Sequence, residues 1–259
     1  MSTTRSVDGT ELAYEKTGSG PAVVLTGGAL NDQAALAPLA DLLSNRFTVY
    51  NYDRRGRGAS GNSQPYEVDR EVEDLAHMID VAGGSAYVFA NCSGGAIAIE
   101  AAARGVPITK LALYEPPYII EGQRRAVSAE YPERLGRLLD EGRRGEAILY
   151  FMSEAVEMPP EVISKITNSP VWDWLESMAP SLRYDAAVMG DYRLPLDRVA
   201  QVKSPTLVMD GAESPQWARN TVAAIAEAAS DGQRRSLEGQ NHNLNADVVF
   251  PVVEKFLAE

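Results

Sequence analysis

Short apolar runs that end in glycine or proline alternate with helix-patterned segments along most of the chain. "ELAYEKTG", "PAVVLTGGALND", "FTVYNYDRRGRGAS", "SAYVFANC" and "TKLALYEPP" read as strands. Between them, "VDREVEDLAHMIDVAGG" carries Val68, Val72, Leu75, Ala76 and Ile79 at helical spacing, and "AIAIEAAARG" is a second helix. This alternation predicts a mainly parallel sheet wrapped by helices on both faces. From Tyr118 to about Ala200 the pattern is helical only, and it then returns to alternation with "SPTLVMDGAESP", "ARNTVAAIAEAAS", "QRRSLEGQNHN" and "DVVFPVVEKFLAE". The expected organisation is therefore an α/β core from residues 1–117 and 201–259, with residues 118–200 as a helical cap. Such an insertion would cover the C-terminal edge of the sheet, where open α/β folds bind ligands.

Charge narrows the partners. A net charge of -12 over 259 residues speaks against nucleic acid and anionic membrane surfaces. The polar start "MSTTRSVDGTELAYEKTGSG" has no apolar stretch of the kind that opens a secretory signal. No apolar run reaches the roughly 20 residues of a membrane span. A cytoplasmic protein is expected. The single cysteine, Cys92, allows no internal disulfide and no multi-thiolate zinc site. No cluster has metal-ligand spacing. "YDRRGRGASG" fits neither a P-loop nor a dinucleotide fingerprint, so Arg54 and Arg55 are read as loop structure. No metal or organic cofactor is expected.

The stretch "YVFANCSGGAIAIEAA", Tyr87 to Ala102, is a strand, a tight turn of small residues and an alanine-rich helix. A sharp strand-to-helix turn displays a nucleophile only if the residues two before and two after it are small. With Cys92 at the centre, those residues are Ala90 and Gly94. With Ser93 at the centre, the first is the bulkier Asn91. Cys92 is the expected nucleophile.

In their order and spacing, "YNYDRRGRGAS", "FANCSGGAIAIEAA", "PTLVMDGAESP" and "LEGQNHNL" make the chain resemble the α/β-hydrolase-fold superfamily over nearly its whole length. Ala90 replaces the usual first glycine of the elbow, and Cys92 replaces the usual serine. The resemblance implies that His242, in the loop before the last helix, is the catalytic histidine. His77, inside an amphipathic helix, is read as a surface or packing residue. The acid is open. The position where most of the family has aspartate holds Ser214. Glu115, at the end of the strand after the elbow, ranks first, because some members, haloalkane dehalogenase-like ones included, carry the acid there. Asp210 ranks second and Glu213 third.

The same resemblance places one oxyanion donor at the backbone N–H of Ser93, after the nucleophile, and the other in "LTGGALN". There Gly28 is the first candidate and Ala29, also expected beside the substrate, the next. Aromatic and methionine residues of the insertion (Tyr150, Phe151, Met152, Trp172, Trp174) supply core and, in part, the cleft wall. Phe151, Trp172 and Trp174 are the substrate-contact candidates.

A thiol, an imidazole and an acid act together on acyl groups. The expected enzyme is a hydrolase or acyl-transfer enzyme on a partly apolar ester, thioester or lactone. The alternative is a lyase, isomerase or cyclase on the same fold, without a covalent intermediate.

Overall fold

The computed structural model describes residues 1–259. Eight strands form one sheet: β1 (Ser2–Arg5), β2 (Glu11–Thr17), β3 (Ala22–Thr26), β4 (Thr48–Tyr52), β5 (Ala86–Asn91), β6 (Ile108–Tyr114), β7 (Thr206–Gly211) and β8 (Gly232–Leu237). Their order is β1-β2-β4-β3-β5-β6-β7-β8. The pairings β1–β2 and β2–β4 are antiparallel, and all the others are parallel. This is the expected α/β architecture, with an antiparallel edge added. The edge strand β1, "STTR", has no apolar alternation, which is why periodicity did not reveal it.

Residue alternation along the parallel strands builds two cores. Val23, Leu25, Val49, Phe89, Leu207 and Met209 point to one face. They meet Leu36, Leu39 and Leu43 of α1 (Gln33–Leu43) and Val249 and Val253 of α11 (Ala246–Ala258). Val24, Val88, Leu111, Leu113 and Val208 point to the other face. There they pack with Val72, Leu75 and Ile79 of α2 (Val68–Val81), Ile97 of α3 (Ser93–Ala103), and Val222 and Ile225 of α10 (Gln216–Ala228). With both faces covered, the strands read as continuous apolar runs. Leu75 is fully buried. Leu75→Ala is expected to cost about 2–5 kcal/mol, read as a lower urea midpoint at unchanged slope.

Between β6 and β7 lie α4 (Tyr131–Asp140), α5 (Arg144–Tyr150), a π-helical turn (Phe151–Ala155), α6 (Pro160–Thr167), α7 (Trp172–Met178), α8 (Leu182–Met189) and the single turn α9 (Leu196–Val199). The helical pattern from Tyr118 onward yields its first helix only at Tyr131, with Pro132 in the first turn, where proline needs no N–H partner. Ahead of it, Arg125 pairs with Glu154 and Glu157 instead. Tyr131, Leu135, Ile148, Met152 and Leu182 join the same apolar cluster as the sheet face. No helix is long and apolar enough to cross a membrane.

Candidate active site

The turn after β5 has the backbone that its small residues allow. Cys92 adopts φ 50° and ψ -130°, a costly conformation for a residue with a side chain. A Cβ on Gly94 would lie 2.6 Å from the carbonyl oxygens of Thr26 and Gly27. A Cβ on Gly28 would lie 2.6 Å from Cys92 Cβ. Ala90, two residues before, is fully buried. Cys92 is partly exposed. Ser93 points inward, its hydroxyl donating to Asp185 Oδ1 at 2.7 Å.

Glu115 follows β6, the strand paired with β5, and has φ 45°. Cys92 N–H donates to Tyr114 O (3.0 Å), so the elbow and Glu115 sit on neighbouring rungs of the sheet. Glu115 Oε1 accepts from Gly211 N–H (2.8 Å) and from the Ser214 hydroxyl (2.5 Å). Glu115 Oε2 lies 2.8 Å from His242 Nδ1. The histidine loop is tied down by Tyr114, whose hydroxyl donates to Asn241 O at 2.5 Å. Half of the imidazole surface is exposed.

The electrostatics of these three groups are coupled. Burial disfavours the charged thiolate, but the positive imidazole of His242, its hydrogen bond and the N–H of Ala29 outweigh that and hold the Cys92 thiol below its ordinary range. Burial likewise disfavours the imidazolium, but the Cys92 thiolate and then Glu115 push His242 up to about 10. Burial raises Glu115, and the hydrogen bonds from His242, Ser214 and Gly211 more than reverse it. The three charges thus favour one another: the imidazolium supports the thiolate, and the thiolate and the carboxylate support the imidazolium.

The structure brings Cys92, His242 and Glu115 together and leaves other candidates apart. Asp210 is fully buried, but it accepts from Arg234 (2.8 Å) and Ser236 (2.8 Å) of β8, so it turns away from the imidazole. Glu213 is exposed. The two oxyanion candidates of the early loop differ in their surroundings. Gly28 N–H points to Asn31 Oδ1 (3.3 Å), whereas the N–H of Ala29 helps to hold the Cys92 thiol down. Trp174 approaches this loop, its ring N–H 3.4 Å from Asp32 Oδ2. Trp172 instead packs beside Gly145 at the start of α5, and Phe151 packs on the main apolar cluster. Tyr150 lines a groove of about 640 Å³ between α4, α5 and α6, which touches neither Cys92 nor His242. His77 bonds to Thr4 Oγ1 at 2.8 Å, far from the elbow. No three His, Cys, Asp or Glu side chains gather where they could share a metal ion.

Sequence reasoning missed two parts of this arrangement. Ser214 marked the place of a missing acid, yet its hydroxyl is a donor to the substitute. Arg54 and Arg55, which the sequence assigns to loop structure, are buried behind the elbow together with Arg57. Three arginines within four residues in a short loop were the available signal, because unpaired arginines rarely tolerate burial.

A family model described as "Alpha/beta hydrolase family" matches residues 23–252. The chain is similar to a crystallised alpha/beta hydrolase from Sphaerobacter thermophilus DSM 20745. The two are 48% identical over 99% of this chain and 100% of the other, with a TM-score of 0.95. It is also similar to the 2-(acetamidomethylene)succinate hydrolase of Mesorhizobium japonicum, at 25% identity over 90% of this chain and 86% of that protein. The uncharacterized hydrolase YraK of Bacillus subtilis is 32% identical over 38% of this chain, and the match spans only 37% of YraK's own length.

Proposed function

The chain belongs to the alpha/beta hydrolase family, an enzyme of hydrolase type, and from that premise we propose that it is a cysteine-dependent acyl hydrolase or acyltransferase. The observation that carries this reading is the Glu115–His242 contact of 2.8 Å behind a partly exposed elbow thiol. In this reading the Cys92 thiolate attacks a carbonyl carbon and a C–S bond forms. The pair of electrons from the C=O bond moves to oxygen. The N–H groups of Ser93 and Ala29 hold that oxygen. As charge leaves the sulfur, the Ala29 N–H is released from it and serves the new anion. Collapse of the intermediate breaks the bond to the leaving group, which takes a proton from the imidazolium of His242. Water, deprotonated by His242, then attacks the thioester and returns the thiol, or another acceptor takes the acyl group. Glu115 fixes the imidazole tautomer and stabilises its charge, with Ser214 and Gly211 N–H orienting the carboxylate.

The substrate class is a small, partly apolar ester, thioester or lactone. The helices of residues 118–200 act as the cap in this reading, with Trp174 at the edge of the oxyanion loop. The named relative that acts on an acetamidomethylene succinate adds acyl–nitrogen substrates to those worth assaying. The test is intact-mass spectrometry after brief exposure to p-nitrophenyl acetate. One acetyl group on Cys92, absent in Cys92→Ala, is expected. A Cys92→Ala protein that keeps full activity on its substrate, with no acyl adduct on the native protein, would establish the lyase, isomerase or cyclase reading instead.

A further inference from the structure

Behind the elbow, three segments meet at one nitrogen atom. Arg54 Nη1 lies 3.2 Å from Gly27 O, 3.2 Å from Ser93 Oγ and 3.1 Å from Asp185 Oδ1. Gly27 leads into the loop that carries Ala29. Ser93 follows the elbow cysteine. Asp185 belongs to α8, in the insertion. The other side of the guanidinium is clamped by Glu71 of α2, with Nε at 2.8 Å and Nη2 at 2.7 Å. Asp185 is held from its other oxygen by Arg57 Nη2 at 2.7 Å and accepts the Ser93 hydroxyl at 2.7 Å. The Arg54, Arg57, Glu71 and Asp185 side chains are at most 3% exposed.

We propose that Arg54 and Asp185 are positioning residues that set the two oxyanion-binding amides, those of Ser93 and Ala29, in register with each other. The inference rests on the acyl reading of the site. Buried ion networks add little net stability over an apolar core of the same shape. This one is also incompletely satisfied, since Arg57 Nε and Nη1 are buried without hydrogen-bond partners, Nη1 reaching Glu71 only at 3.8 Å. What it does supply is direction. Two amides on separate segments must aim at one oxygen, and a displacement of about 1 Å costs on the order of 100-fold in rate. Tying the carbonyl of Gly27 and the hydroxyl of Ser93 to a single guanidinium removes that freedom. Asp185 brings α8 to the same point, so the insertion and the elbow cannot shift independently. The network holds two cations against two anions, so it places no net charge behind the sulfur. Its loss should therefore weaken oxyanion stabilisation and spare thiol ionisation.

The full-length variants Ser93→Ala, Asp185→Asn and Arg54→Lys separate these effects. Ser93→Ala keeps the amide and every ion pair, so it reports even if a charge variant folds poorly. Acetylation by p-nitrophenyl acetate needs the oxyanion amides, and alkylation by iodoacetamide at the same sulfur does not. The expected result is acetylation slowed about 10- to 100-fold in all three. Alkylation should stay within about twofold of the native rate, with an unchanged pH profile, in Ser93→Ala and Arg54→Lys, which keep every charge. Asp185→Asn removes a carboxylate that disfavours the thiolate and should move that profile to lower pH. Equal slowing of both reactions, or native acetylation in Ser93→Ala, would overturn the proposal. A native protein whose Cys92 alkylates normally but never acquires acetyl would instead show that the acyl reading itself has failed.

Discussion

His242→Ala is expected to lower kcat/KM toward a p-nitrophenyl ester by about 10,000-fold, a loss of about 5.5 kcal/mol of transition-state stabilisation. The imidazole is the only group that both pairs with the thiolate and contacts the Glu115 carboxylate, at 2.8 Å. Without it, leaving-group protonation falls to water. Glu115→Gln should be the second most damaging change, about 100- to 10,000-fold, since an amide keeps the shape but loses the charge that supports the imidazolium. Asp210→Asn gives the contrast. Its carboxylate serves Arg234 and Ser236, so activity should stay within a few-fold of native. Steady-state kinetics on the three variants, with circular dichroism as the check on folding, tests the assignment. A large loss in Asp210→Asn with a mild one in Glu115→Gln would return the acid to β7.

Alkylation of Cys92 by iodoacetamide is expected to remain fast at pH 6. An unperturbed thiol with a pKa near ~8.5 would be only about 0.3% thiolate there, so Cys92 should alkylate faster than a free cysteine at that pH. The sign follows from the pair. The Cys92 thiol is lowered by the neighbouring imidazolium, so the reactive thiolate persists as pH falls. His242 is raised to about 10 by the thiolate and Glu115, so the imidazolium persists as pH rises. Acyl transfer, which uses the imidazolium to protonate the leaving group, should fall off above about pH 10, while simple alkylation should not. Glu115→Gln removes one support of the imidazolium and should move that alkaline limb to lower pH. Both inflections belong to the coupled pair and not to either residue alone. An alkylation profile centred near pH 8.5 would rule out the ion pair.

The parallel sheet was legible because its strands are apolar on both sides, as Val23, Val24 and Leu25 illustrate, and because glycines punctuate them. The elbow was legible through the smallness of Ala90 and Gly94, whose reason is local backbone crowding. Long-range partnerships were not legible. Nothing near Asp210 in sequence announces that Arg234 and Ser236, on the next strand, claim its carboxylate. That the Asn31 side chain lies 3.3 Å from the Gly28 amide is likewise a matter of loop geometry that no residue pattern announces. Asp185 lies 92 positions from Ser93 on an unremarked helix. Its pairing with buried arginines is a product of how the insertion docks, which periodicity does not encode.

The placement of Glu115 on the rung beside the elbow has a consequence for how such a chain can diverge. The distance between Cys92 and Glu115 is fixed by the spacing of β5 and β6, about 4.8 Å in any sheet, and by the bond from Cys92 N–H to Tyr114 O. Two members of the proposed constellation are thus inherited from strand pairing, and only His242 arrives on a loop. Lineages can reshape the segments beyond Ser214 while the thiol and the carboxylate keep their separation.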